Sequence, residues 1–149
     1  LEVMLVVYVL ILLGLAVVIA PLVSVMPSKS QRAKAALRDE ARTRSYRVSL
    51  RPLPTVPPRF RLQIDADLAC YERRLPAALA VPDRAMAYVC VEGGWWPTSG
   101  TGDAPAWLSE LPEGSVYVER GEQTASIFWD EKAGSEGLTL ISQAIEKID

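Results

Sequence analysis

The chain has 149 residues, half of them hydrophobic, with a net charge of −2, two cysteines and no histidine. That length holds one small domain plus one additional element. Without histidine the commonest general base, the usual activator of a nucleophile and the commonest nitrogen ligand for metals are missing, and two lone cysteines make neither a zinc spacing nor a redox pair. Catalytic, cofactor-binding and metal residues are therefore not expected.

Residues 3–26, VMLVVYVLILLGLAVVIAPLVSVM, run for 24 residues without a charge. As a helix rising about 1.5 Å per residue they would extend roughly 36 Å, more than the bilayer core of about 30 Å. A cleaved signal peptide carries its basic residues ahead of a shorter apolar core. Here only Glu2 precedes the run and the basic residues follow it, so residues 1–27 read as an uncleaved single-pass anchor, with Pro21 kinking or ending its last turn.

The whole-chain charge conceals a dipolar protein. From Lys29 to Arg61 ten basic residues face only Asp39 and Glu40, a local net of +8, whereas the residues from Leu62 onward carry a net of −9. Positive residues beside a span stay on the cytoplasmic side and meet anionic headgroups. The N-terminus is thus expected outside and the acidic domain on the cytoplasmic side. A nucleic-acid reader interleaves aromatics with its charges; this stretch holds only Tyr46 and Phe60, so no nucleic-acid partner is expected.

Pro27 breaks the helix, and Ser28 with Gln31 forms the spacing of a capping box, so a basic juxtamembrane helix is predicted over residues 28–45. Ala33, Ala36, Leu37 and Ala41 make a thin apolar stripe, and Lys34, Arg38 and Arg42 recur every four residues on another face. Lys29, Arg32, Lys34, Arg38, Arg42 and Arg44 are the candidate headgroup and topology residues. The same helix also reads as a solvated stalk supported by the Glu40 and Arg44 pair.

Residues 46–149 are predicted to form a small acidic α+β domain with a mostly antiparallel sheet and a C-terminal helix. Tyr46, Val48 and Leu50 alternate in a first strand, and residues 52–59 read as a proline-rich connector. Further strands are expected over 61–64, 69–75, 86–92, Ser115–Arg120 and 124–130, the last two joined at Gly121. In that hairpin Val116 and Val118 should share a face, as should Ala125, Ile127 and Trp129. A short helix is expected over 104–111. Leu138, Ile141, Ile145 and Ile148 lie at helical spacing after Ser135, a candidate cap.

Cys70 and Cys90 sit singly among apolar residues and read as small buried hydrophobes. Asp65 and Asp67 read as a solvated strand end, since two carboxylates rarely hold a divalent ion. Residues 93–102, GGWWPTSGTG, are glycine-rich but lack the lysine and hydroxyl of a phosphate loop. Trp95 and Trp96 on this loop, with Trp107 after it, are the candidate partner interface, at least one of them being exposed.

The apolar span followed by PSKSQRAKAALRDEARTRSYRVSLRPLP, with YERRLP and SIFWDEKAG further on, resembles a group of uncharacterised single-pass inner-membrane proteins of gammaproteobacteria, some labelled YajC-like preprotein translocase subunits. The span and basic helix, about the first third of the chain, are similar in outline to YajC. The resulting expectation is a non-enzymatic accessory or assembly subunit of an inner-membrane complex, with lipids and larger integral-membrane subunits as partners and no small-molecule substrate. The alternatives are a YajC-like accessory of the Sec translocase and a membrane-anchored ligand-binding or enzymatic domain.

Overall fold

The structure, a computed structural model, describes residues 1–64, 66–80, 86–100 and 102–148. Two compact units divide the chain, Leu1–Arg32 and Ala33–Asp149.

The first unit contains helix α1, Glu2–Val25, with every side chain exposed. It is long and apolar enough to cross a membrane. Pro21 lies within the helix without ending it, and the Ser24 hydroxyl donates to the Pro21 carbonyl at 2.8 Å, near the carbonyls that a helix end leaves unpaired. Ser28 and Gln31 then make the reciprocal cap that their spacing predicts. The Ser28 N–H donates to Gln31 Oε1 at 3.1 Å and the Gln31 N–H donates to Ser28 Oγ at 3.2 Å, and α2, Lys29–Thr43, starts there.

The second unit is an antiparallel sheet with helices on one face. Its strands are β1 (Tyr46–Arg51), β2 (Leu68–Arg74), β3 (Met86–Val91), β4 (Gly94–Pro97), β5 (Ser115–Arg120) and β6 (Thr124–Trp129). Among the described residues they lie in the order β1-β2-β6-β5-β3-β4, each neighbouring pair antiparallel. Helix α3, Gly134–Glu146, closes the chain.

Alternation along the strands sends side chains to two cores. On one face Tyr71, Val118, Ala125, Ile127 and Trp129 meet Leu37 and Ala41 of α2 and Leu138, Ile141, Ala144 and Ile145 of α3. On the other, Cys70, Val89, Tyr117 and Phe128 are covered by Leu53, Val56, Phe60 and Leu62. Residues 52–64 are therefore a lid on the second face as well as a connector. Their prolines hold them extended without the N–H groups that a strand must pair.

Several sequence expectations change for physical reasons. Residues 61–64 form no strand; Arg61 takes a left-handed φ of 52° after the 3-10 turn Pro58–Phe60, and Leu62 packs against a sheet face. Leu50 stays 56 % exposed, although it lies in β1 as expected, because β1 is an edge strand flanked only by β2 among the described residues. A bulge between Ser115 and Tyr117 leaves Val116 without a partner on β6, so Val118 faces the helices and Val116 does not join that core. Ser135 lies inside α3 and caps nothing; the residue before the helix, Ala133, has no side-chain cap bond. The segment 93–102, read as a loop, contributes β4. Asp65 lies outside the described residues.

Candidate interface

The basic candidates divide by what they touch. Lys29 and Arg32 are exposed. Arg38 is turned inward: its Nε donates to Glu131 Oε1 at 2.8 Å and its Nη2 to Glu131 Oε2 at 2.7 Å. The Glu131 side chain is only 3 % exposed and also accepts from the Tyr71 hydroxyl at 2.8 Å. These hydrogen bonds to Glu131, weighed against burial, raise the Arg38 guanidinium above its ordinary range. Burial, and then the Glu131 carboxylate, push the Tyr71 phenol up as well.

Arg44 is partly committed too. It pairs with Glu40 at 2.8 Å, the i,i+4 contact that the sequence predicts, and reaches Thr139 Oγ1 at 3.4 Å. The Ser135 hydroxyl donates to both Glu40 oxygens at 3.0 Å, so this cluster fastens α2 to α3. Arg42 pairs at the surface with Asp39 at 2.9 Å, and Lys34 is half-buried. The face of α2 that packs carries Leu37 and Ala41, while Ala33 and Ala36 of the proposed stripe are exposed. From Ala33 onward, α2 belongs to the folded unit, packed on it through Leu37 and Ala41, so it is not a free stalk. Glu131 is the partner that the sequence did not reveal, since its pairing with Arg38 spans 93 positions.

The three tryptophans also separate. Trp107 lies in the short 3-10 helix Ala106–Glu110 and is 9 % exposed, inside the first core, so it offers no interface. Trp95 and Trp96 are consecutive on β4 and must point to opposite faces. Trp95 packs against the first core, and Trp96, opposite Val89, remains 55 % exposed. Gly94 makes room for the Trp96 indole: a β-carbon at Gly94 would lie 3.3 Å from Trp96 Nε1.

Two hollows flank this strand. One, about 330 Å³, is lined by Arg59, Phe60, Trp96 and Pro97 among others. Arg59 lies 4.8 Å above the Phe60 ring and donates to the carbonyls of Pro97 and Thr98 at 3.4 and 3.2 Å, tying the proline-rich lid to the end of β4. The other is an open groove of about 720 Å³ between the β3–β4 hairpin and residues 103–115, with Trp95, Trp96, Asp103 and Glu113 on its walls.

The groove offers surface and charge more readily than nucleophilic chemistry. Its Ser109 hydroxyl donates to the Ala106 carbonyl at 2.7 Å. Burial pushes the Cys90 thiol up, against the lowering effect of the Gly93 N–H. Cys70, fully buried, receives a hydrogen bond from Arg51 at 2.9 Å, yet burial still raises its thiol. Among the described residues no three His, Cys, Asp or Glu side chains gather as a metal site. No protein-family model, curated protein or solved structure matches the chain.

Proposed function

We propose that this protein is a non-enzymatic accessory or assembly subunit of a bacterial inner-membrane complex, anchored by α1 with its N-terminus outside and its sheet domain in the cytoplasm. The observation that carries the reading is Trp96: a large aromatic, 55 % exposed, on the outermost strand of a well-packed sheet and braced at its end by Arg59. Exposed tryptophans on rigid elements are favoured anchors at protein interfaces, because they bury a large area with little loss of side-chain freedom. The apolar α1 and the basic residues after it support the membrane placement and the orientation.

The test is affinity purification of the full chain from membranes in mild detergent, with partners identified by mass spectrometry. Larger integral-membrane subunits should co-purify with the wild type and be depleted with Trp96→Ala, with the urea midpoint of the variant measured alongside so that a lost contact is distinguished from a lost fold. Equal recovery with both proteins removes the Trp96 interface. Recovery of Sec translocase subunits selects the YajC-like reading. The groove beside Trp95 favours a second reading, a membrane-anchored ligand-binding domain, and a chain that purifies alone from every detergent supports that instead.

A further inference from the structure

The groove between the β3–β4 hairpin and residues 103–115 has a distinctive wall. It presents two carboxylates, Asp103 and Glu113, and the adjacent Trp95 and Trp96, and no lysine or arginine lines it. Both acids are exposed, and among the described residues neither makes a salt bridge. Gly94, Trp95 and Trp96 of β4 belong to the lining together with Cys90 of β3 and Ser115 of β5, so the groove crosses the end of the β3–β4 hairpin. Its volume, about 720 Å³, falls within the range of ligand-binding clefts.

We propose that this groove takes an extended, lysine- or arginine-bearing segment of a partner protein, held by the side chains of its walls. Here the selectivity is electrostatic: a cation is drawn by carboxylates from two separate segments and by the faces of electron-rich indoles. An acidic segment meets repulsion from the same two carboxylates instead. This inference rests on the accessory-subunit reading and names the chemistry of what the groove would hold.

The probe is a dye-labelled short peptide alternating lysine and valine, titrated by fluorescence anisotropy against the full chain in non-ionic detergent micelles. The same peptide with glutamate in place of lysine is the comparison. The lysine peptide should bind, weaken as salt is raised, and lose about tenfold in affinity when Asp103→Asn and Glu113→Gln are combined. Glu136→Gln, at an exposed position on α3, should leave binding unchanged. Equal binding of the two peptides, or an unchanged affinity in the double variant, overturns the proposal. So does concentration-dependent self-association that the double variant abolishes, because the occupant would then be a second copy. The membrane purification separates this inference from the reading beneath it. Partners that the wild type recovers and the double variant recovers equally well sink the charge-selective groove alone, whereas no partner with the wild type sinks the accessory role.

Discussion

Glu131 sits at a left-handed φ of 62°, a backbone conformation that costs a residue with a side chain roughly 1–2 kcal/mol, and it places its carboxylate among Arg38 and Tyr71. The position is held by what the side chain does. Removing one partner of a buried ion pair leaves the other charge without compensation, at a cost of about 3–5 kcal/mol; the 24 % exposure of the Arg38 side chain moves the figure for Arg38→Ala to the lower end. Replacing both members, as in Arg38→Met with Glu131→Gln, should cost less than the two single changes added together. Urea titrations of the full chain in detergent micelles measure this, and strictly additive losses would mean that the two groups are not coupled. None of this was legible in the sequence, where Arg38 falls in a regular basic row and Glu131 in a turn-like DEKAG run. Pairing over that separation is decided only when β6 has delivered Glu131 to the face on which α2 lies.

Gly137 shows at the level of an element why α3 docks where it does. A β-carbon there would come within 2.7 Å of both Ala133 Cβ and the buried Trp129 ring. Alanine in place of glycine normally favours a helix by about 1 kcal/mol, but overpacking against a fully buried tryptophan costs about 1–3 kcal/mol. Gly137→Ala is therefore expected to destabilise the domain on balance, by about 1 kcal/mol, and a higher thermal midpoint for this variant would show that Trp129 can yield. The strands that the sequence revealed, β1, β2, β3, β5 and β6, are those whose apolar residues recur at the strand period or run continuously. β4 was hidden because Gly-Trp-Trp-Pro has neither an alternation nor a usual strand composition, and it pairs only because a tight turn at Glu92 and Gly93, both at positive φ, folds it back on β3. Conversely, residues 61–64 look extended and apolar enough for a strand, yet the second face of the sheet needed covering and they serve there.

Over the whole molecule, the resolved proton equilibria point in one direction. Burial raises the thiols of Cys70 and Cys90 and the phenols of Tyr71, Tyr88 and Tyr117. Each holds its proton more tightly when folded, so the unfolded chain ionises first. Stability should therefore be intact below the ordinary thiol value of about 8.5 and fall as pH climbs past it and past the phenol value of about 10. Urea midpoints that stay level or rise between these values would contradict that. The basic stretch makes a second expectation. Because Arg38 fastens α2 to the core, a test of orientation must leave it intact. Replacing Lys29, Arg32 and Lys34 by glutamine should reduce the fraction of molecules with a C-terminal reporter on the cytoplasmic side while shifting the urea midpoint little. An unaltered reporter distribution would remove these three residues as orientation determinants.

The amino-acid sequence by itself determined the features that depend on near neighbours: an uncharged run long enough to cross a bilayer, the Ser28–Gln31 cap, the alternation of β1 and β6, and the apolar spacing of α3. These follow from helix rise, strand period and local hydrogen bonds, which act over a few residues. Only the tertiary structure decided that α2 belongs to the core, that the proline-rich run closes the second face, that Trp107 is buried while Trp96 is exposed, and that Arg38 faces Glu131. Burial and ion pairing across the fold depend on which surfaces meet, and that is set by sheet order and the packing of both faces.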